Sequence, residues 1–209
     1  MPEKPAPGAH IDTAHIDTAR IEAAVAEILA AIGEDPARDG LVQTPQRVAE
    51  AYLEFFSGVG VDPLTHLTDS VPLEHENLGE LVLLRDIEFR SMCEHHLLPF
   101  TGLAHVAYVP RARVVGLGRL PRVVDTLASR PQLQERLTEQ IADALQNGLD
   151  PLGVLVVLEA THGCVTARGT RQAHSSAVTM ATRGSLSEPP SRDGVLALLS
   201  GARVGRAST

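Results

Sequence analysis

No run of apolar residues in this 209-residue chain approaches the roughly 18 to 20 needed to span a bilayer. The opening stretch, MPEKPAPGAH, lacks the apolar core of a secretory signal. The expectation is a soluble, cytoplasmic protein with no membrane partner. Cysteine is scarce: two residues exclude a disulfide scaffold, and in a reducing compartment they are free, metal-bound or catalytic more often than paired. Positive charge is also short, 18 basic against 26 acidic side chains for a net charge of −8, which argues against a chain-wide nucleic-acid footprint. Lysine occurs once, as Lys4, a bias that carries little functional weight. No Pro/Gly/Ser linker divides residues 40–200, and 44% hydrophobic with 21% charged is ordinary globular composition.

What is present is unevenly placed. Residues 111–136 hold six arginines against Asp125 and Glu135, and residues 161–183 hold three against no acid, so these stretches are net +7 and the remainder −15. Such clustering points to a small anionic ligand held locally by an acidic protein. The tandem HIDTA at residues 10–19 is too short for a solenoid and reads as a tail.

Ile21, Val25, Ile28, Leu29 and Ile32 fit one face of a helix stopped by Gly33 and Pro36. Thr44 and Pro45 read as the N-cap and first turn of a second helix, which Ser57 and Gly58 close. From about residue 80 the apolar period becomes two. Residues 81–89, 104–109 and 154–160 read as strands, and 165–182 as another long one. A helix is expected from near Pro131 to Gly148, with short ones over 121–128 and 195–199. Helices flanking antiparallel strands make an α+β fold. The expected organisation is a flexible tail over 1–20, one domain over 21–200 with helices at 21–58 and a catalytic core at 80–185, and a flexible end at 201–209.

The densest chemistry is Cys93-Glu94-His95-His96. A cysteine and a histidine three apart can meet on one ion if the backbone turns, and thiolate with imidazole is a favoured zinc set. Cys164, in His162-Gly163-Cys164, offers a third ligand and leaves a fourth position open, as in a catalytic site. Spacing alone leaves two other readings open: ordinary buried small residues, or a Cys93 to Cys164 disulfide.

The wording of these segments adds more. CEHHLLPFTGLAHVAYVP at 93–110, Val115-Gly116-Leu117, RPQLQERLT at 130–138 and HGCVTARG at 162–169 closely resemble GTP cyclohydrolase I. The resemblance reaches upstream to Thr44-Pro45-Gln46-Arg47-Val48-Ala49 and covers roughly residues 40–185. It implies the tunnelling fold assembled into a toroidal homodecamer, and conversion of GTP to 7,8-dihydroneopterin triphosphate and formate, the entry to folate and pterins. By resemblance Cys93, His96 and Cys164 hold zinc, while His95 and His162 transfer protons. Glu135, with Gln134, reads the guanine edge, and Arg119, Arg122 and Arg168 grip the triphosphate. Water attack on carbon 8 of guanine fits this equipment, because zinc activates water near neutral pH and histidine donates and recovers protons there.

Two positions depart from the family pattern. Gly118-Arg119 stands where Ser-Lys is usual. Arginine keeps the charge and changes the fork geometry, but glycine removes a hydroxyl associated with the ribose isomerisation. Glu50 occupies a helix position where relatives often carry a basic residue. These departures keep two alternatives in view, a paralogue that stops at a formamidopyrimidine and a non-catalytic GTP-binding zinc protein.

Overall fold

The switch of apolar period near residue 80 coincides with the start of the principal sheet. The computed structural model describes residues 16–73 and 80–201, which fall into two compact units, one ending at Val61 and the other starting at Asp62. Residues 1–15, with more than half of the HIDTA repeat, and residues 202–209 lie outside the described residues.

The first unit contains α1 (Thr18–Ala31) and α2 (Thr44–Phe55), packed on one another. The Asp17 carboxylate accepts the Arg20 N–H at 3.0 Å and so caps α1. Of the expected apolar stripe, Ile21, Val25 and Leu29 are half-buried, while Ile28 and Ile32 stay exposed. The cap expected at Thr44 moves by one residue: Gln43 is the N-cap and Thr44 the first helical residue. Pro45 still lies in the first turn, where its missing N–H costs nothing.

The second unit opens with a 3₁₀ turn (Pro63–His66) and continues β1 (Ser70–Pro72), β2 (Val82–Cys93), β3 (Pro99–Val109), β4 (Arg113–Val115), α3 (Arg119–Ala128), β5 (Pro131–Gln132) and α4 (Gln134–Leu149). It ends with β6 (Gly153–His162), a one-turn α5 (Gly163–Thr166), β7 (Ala177–Gly184) and α6 (Pro189–Gly201). The five-stranded sheet has the order β5-β2-β3-β6-β7, and β1 pairs with β4 in a separate ribbon. All pairings in the larger sheet are antiparallel except β5 with β2, so the sheet is mixed and the fold is α+β.

Alternation along β6 shows why its sequence is apolar throughout. Val154, Val156 and Leu158 join the main core with Leu120, Val124, Leu137, Ile141 and Leu145 of α3 and α4. Leu155 and Val157 face a second cluster that includes Leu186 and Val195. A strand buried on both faces has no polar alternation to show. Helix α4 starts at Gln134, later than expected, because Pro131 and Gln132 are paired with Met92 and Cys93. It ends at Asp150, in the left-handed region at φ 45°.

The long strand expected over 165–182 does not form. Residues 163–166 make α5, the chain then turns through Gly169 (φ 61°) and Arg171 (φ 51°), and only Ala177–Gly184 pairs with β6. β-branched residues at Val165, Thr166 and Thr170 imitate a strand, but left-handed residues on either side of Thr170 break the extended path. No helix among the described residues is long and apolar enough to cross a membrane.

Candidate active site

The topology brings together residues far apart in sequence. β3 lies between β2 and β6, and its first residues pair with the last residues of both. Met92 is opposite Pro99, and Phe100 is opposite His162. The C-terminal ends of β2 and β6, carrying Cys93 and His162, therefore flank the start of one strand. After Cys93 the chain folds back through a tight turn. The N–H groups of His96 and Leu97 both donate to the Cys93 carbonyl, Leu97 takes φ 49°, and Cys93 N–H donates to Leu98 O at 2.9 Å. That turn swings His96 over Cys93, with Sγ and Nδ1 3.8 Å apart.

Cys164 enters from the other side. Its neighbour Gly163 packs so tightly on β3 that a Cβ there would lie 2.8 Å from the Pro99 carbonyl oxygen. The ligand atoms of Cys93, His96 and Cys164 all lie within 4.8 Å of one another. Both cysteines are free thiols, so the disulfide reading does not hold. Tetrahedral zinc at about 2.3 Å from sulfur and 2.0 Å from nitrogen places its ligand atoms roughly 3.5 to 3.8 Å apart. Two cysteine sulfurs and an imidazole gathered to within 4.8 Å could hold a metal such as zinc. Burial and the neighbouring Cys93 push the Cys164 thiol up in pKa, the environment in which a bound cation releases a thiol proton.

Around this group stand the other expected residues. His95 is exposed, 4.0 Å from a Glu94 carboxylate oxygen. Glu94 is itself held by a two-pronged ion pair with Arg136, which keeps its carboxyl below the usual range. His162 stacks on Phe100 with centroids 4.6 Å apart and planes 4° from parallel. Burial lowers the His162 pKa, and the Glu135 carboxylate acts in the opposite direction. Glu135 is exposed in the first turn of α4. Arg168 places Nη2 2.6 Å from His96 Nε2.

Gln134 is placed differently from a side chain that reads a base. It is 2% exposed and its amide is engaged with Leu158, Ala177, Thr179 and His162. Arg119 and Arg122 line a separate shallow concavity with Gly116 and Gly118, and Arg119 pairs with Asp69 at 2.9 Å. Gly118 precedes α3 as its N-cap, and a Cβ there would meet nothing within 4 Å. Sequence reasoning missed Phe100, Thr138, Thr179, Asp69 and the Glu94–Arg136 pair. Only Thr138, one helical turn after Gln134, had a positional signal.

The GTP cyclohydrolase I family matches residues 21–200. The chain is 63% identical to the GTP cyclohydrolase 1 of Leifsonia xyli subsp. xyli over 176 residues, 84% of this chain and 92% of that one. It is 53% identical to that of Rhodopirellula baltica over 198 residues, covering 94% and 83% respectively. For Bacillus subtilis the figure is 55% over 162 residues, covering 77% and 84%. Among solved structures, an archaeosine synthase QueF-Like in the apo form is similar over 50% of this chain and 93% of that one, at 20% identity and a TM-score of 0.42.

Proposed function

This chain belongs to the GTP cyclohydrolase I family, and from that premise and the geometry of the site we infer that it converts GTP and water to 7,8-dihydroneopterin triphosphate and formate. The observation that carries the reading is the convergence of Cys93, His96 and Cys164 beside His162. Cys93, His96 and Cys164 would hold zinc, which supplies Lewis-acid activation of water at neutral pH.

The remaining steps belong to the chain's own side chains. His162, whose pKa burial lowers, exchanges a proton with the guanine. His95, exposed beside Glu94, is the second proton-transfer group. Glu135 accepts from the donor edge of guanine; an acceptor-only carboxylate discriminates against adenine. Its charge also lies close enough to His162 to favour the protonated ring. Arg119, Arg122 and Arg168 bind the triphosphate, and each must exchange a protein or solvent contact for phosphate oxygens. For Arg119 the contact exchanged is Asp69 and for Arg168 it is His96. The fold is the tunnelling fold and the assembly a homo-oligomer, a toroidal decamer by family resemblance, with the cytoplasm as the reducing compartment that keeps both thiols free.

Purified protein given GTP and zinc should release formate and yield a product that fluoresces after oxidation. Chelation should stop both. Metallated protein that gives neither, or releases formate without a pterin chromophore, would overturn the assignment.

A further inference from the structure

Behind His162 lies a hydrogen-bond network whose polarity at the imidazole follows from its partners. The Gln134 amide nitrogen is 3.2 Å from Leu158 O and 3.0 Å from Ala177 O. Both are carbonyl oxygens that only accept, so the group facing them must be the NH₂ end; a flipped amide would set oxygen against two oxygens. The amide oxygen then faces His162 Nε2 at 2.7 Å. An amide oxygen has no proton to give, so Nε2 must carry one.

The hydroxyls fix the far side of the amide. Thr138 Oγ1 donates to the Gln134 main-chain carbonyl at 2.7 Å, which uses its only proton. The 2.6 Å contact between Thr138 and Thr179 therefore takes its proton from Thr179. Thr179 Oγ1 keeps its lone pairs, and the Gln134 nitrogen lies 3.1 Å away. Gln134 and Thr138 are 2% and 1% exposed, so reversing any member would leave a buried group unsatisfied.

We propose that Gln134 is a positioning residue that keeps His162 protonated at Nε2, so that every proton His162 exchanges passes through Nδ1. The contact survives in both states of the ring. Neutral His162 carries its proton on Nε2, and the cation adds one at Nδ1 while still donating to Gln134. Proton transfer then needs no ring flip, and the Phe100 stack holds the plane throughout. Fixing the tautomer from behind is how a buried acceptor orients a catalytic imidazole. The proposal rests on the reading of His162 as a proton-transfer group, and it differs from a base-reading role for Gln134.

The test uses the full chain, zinc-loaded and labelled with ¹⁵N-histidine, with the His162 signals identified by their loss in His162→Gln. The wild type should show one tautomer, protonated at Nε2 and bare at Nδ1. Gln134→Met should mix the tautomers and lower kcat roughly 10- to 100-fold, with zinc content unchanged and KM for GTP within about twofold. A wild-type ring protonated at Nδ1 instead would overturn the proposal, whether or not Gln134→Met folds. So would Gln134→Met with raised KM and unchanged kcat, the mark of direct substrate contact. Full turnover by His162→Gln would instead sink the proton-transfer reading while leaving the tautomer measurement intact.

Discussion

Gly163 is the residue that lets Cys164 reach Cys93. It sits between the last residue of β6 and Cys164, against a main-chain carbonyl that cannot move without disturbing β3. Gly163→Ala adds a methyl 2.8 Å from Pro99 O, and relieving such overpacking costs about 1 to 3 kcal/mol. Since the easiest relief is to push Cys164 away from its partners, zinc affinity should fall roughly 10- to 100-fold. Competition with a chromophoric chelator measures it, and an unchanged affinity would show that α5 adjusts freely. At this scale the grouping of Cys93, His96 and Cys164 was legible in the sequence, because thiol and imidazole chemistry narrows the choice to few residues. The tie between Gln134 and His162 was not. The two are 28 residues apart, and their meeting depends on a two-residue strand, β5, that no propensity announces.

At the scale of elements, the strand ends rather than the strands carry the chemistry, so devices that hold the ends in register matter most. The Tyr108 hydroxyl, at the inner end of β3, accepts the Val115 N–H at 3.3 Å and ties β3 to β4 ahead of Gly116–Arg119. Tyr108→Phe leaves that N–H without its acceptor and should cost about 1 to 2 kcal/mol by urea denaturation at neutral pH. Burial raises the Tyr108 phenol above its ordinary value near 10. The unfolded chain therefore gives up this proton first, and stability present below about pH 10 is lost as pH rises past it. Tyr108→Phe should flatten that alkaline decline; an equal slope in both proteins would contradict it. The amphipathic α4 and the alternating part of β2 were readable because burial on one face leaves a repeat in the sequence, and β6, buried on both faces, was readable from its unbroken run of β-branched and aliphatic residues. The false strand over 165–182 was not separable, since Gly169 and Arg171 turn the chain by backbone angles that the β-branched residues around them do not reveal.

The charge asymmetry belongs to the whole molecule and was fully legible, because it needs no fold: nine arginines of the two cationic stretches include Arg119, Arg122 and Arg168. What a single chain leaves unfinished is its edge. Among the described residues β7 pairs only with β6, and Val178 and Met180 stand exposed at 63% and 44%. They alternate with Thr179 and Ala181, which face α4. An apolar edge strand is a template for another strand unless something covers it. A second copy of this chain is the covering that the proposed homo-oligomer requires. Met180→Asp should add a desolvated charge to each such contact and shift the particle mass measured by light scattering toward smaller species, with turnover falling in parallel. Wild-type protein that is monomeric yet fully active would defeat the idea. An unchanged mass for Met180→Asp would move the contact elsewhere, to a surface such as the one that leaves Ile28 and Ile32 exposed on α1.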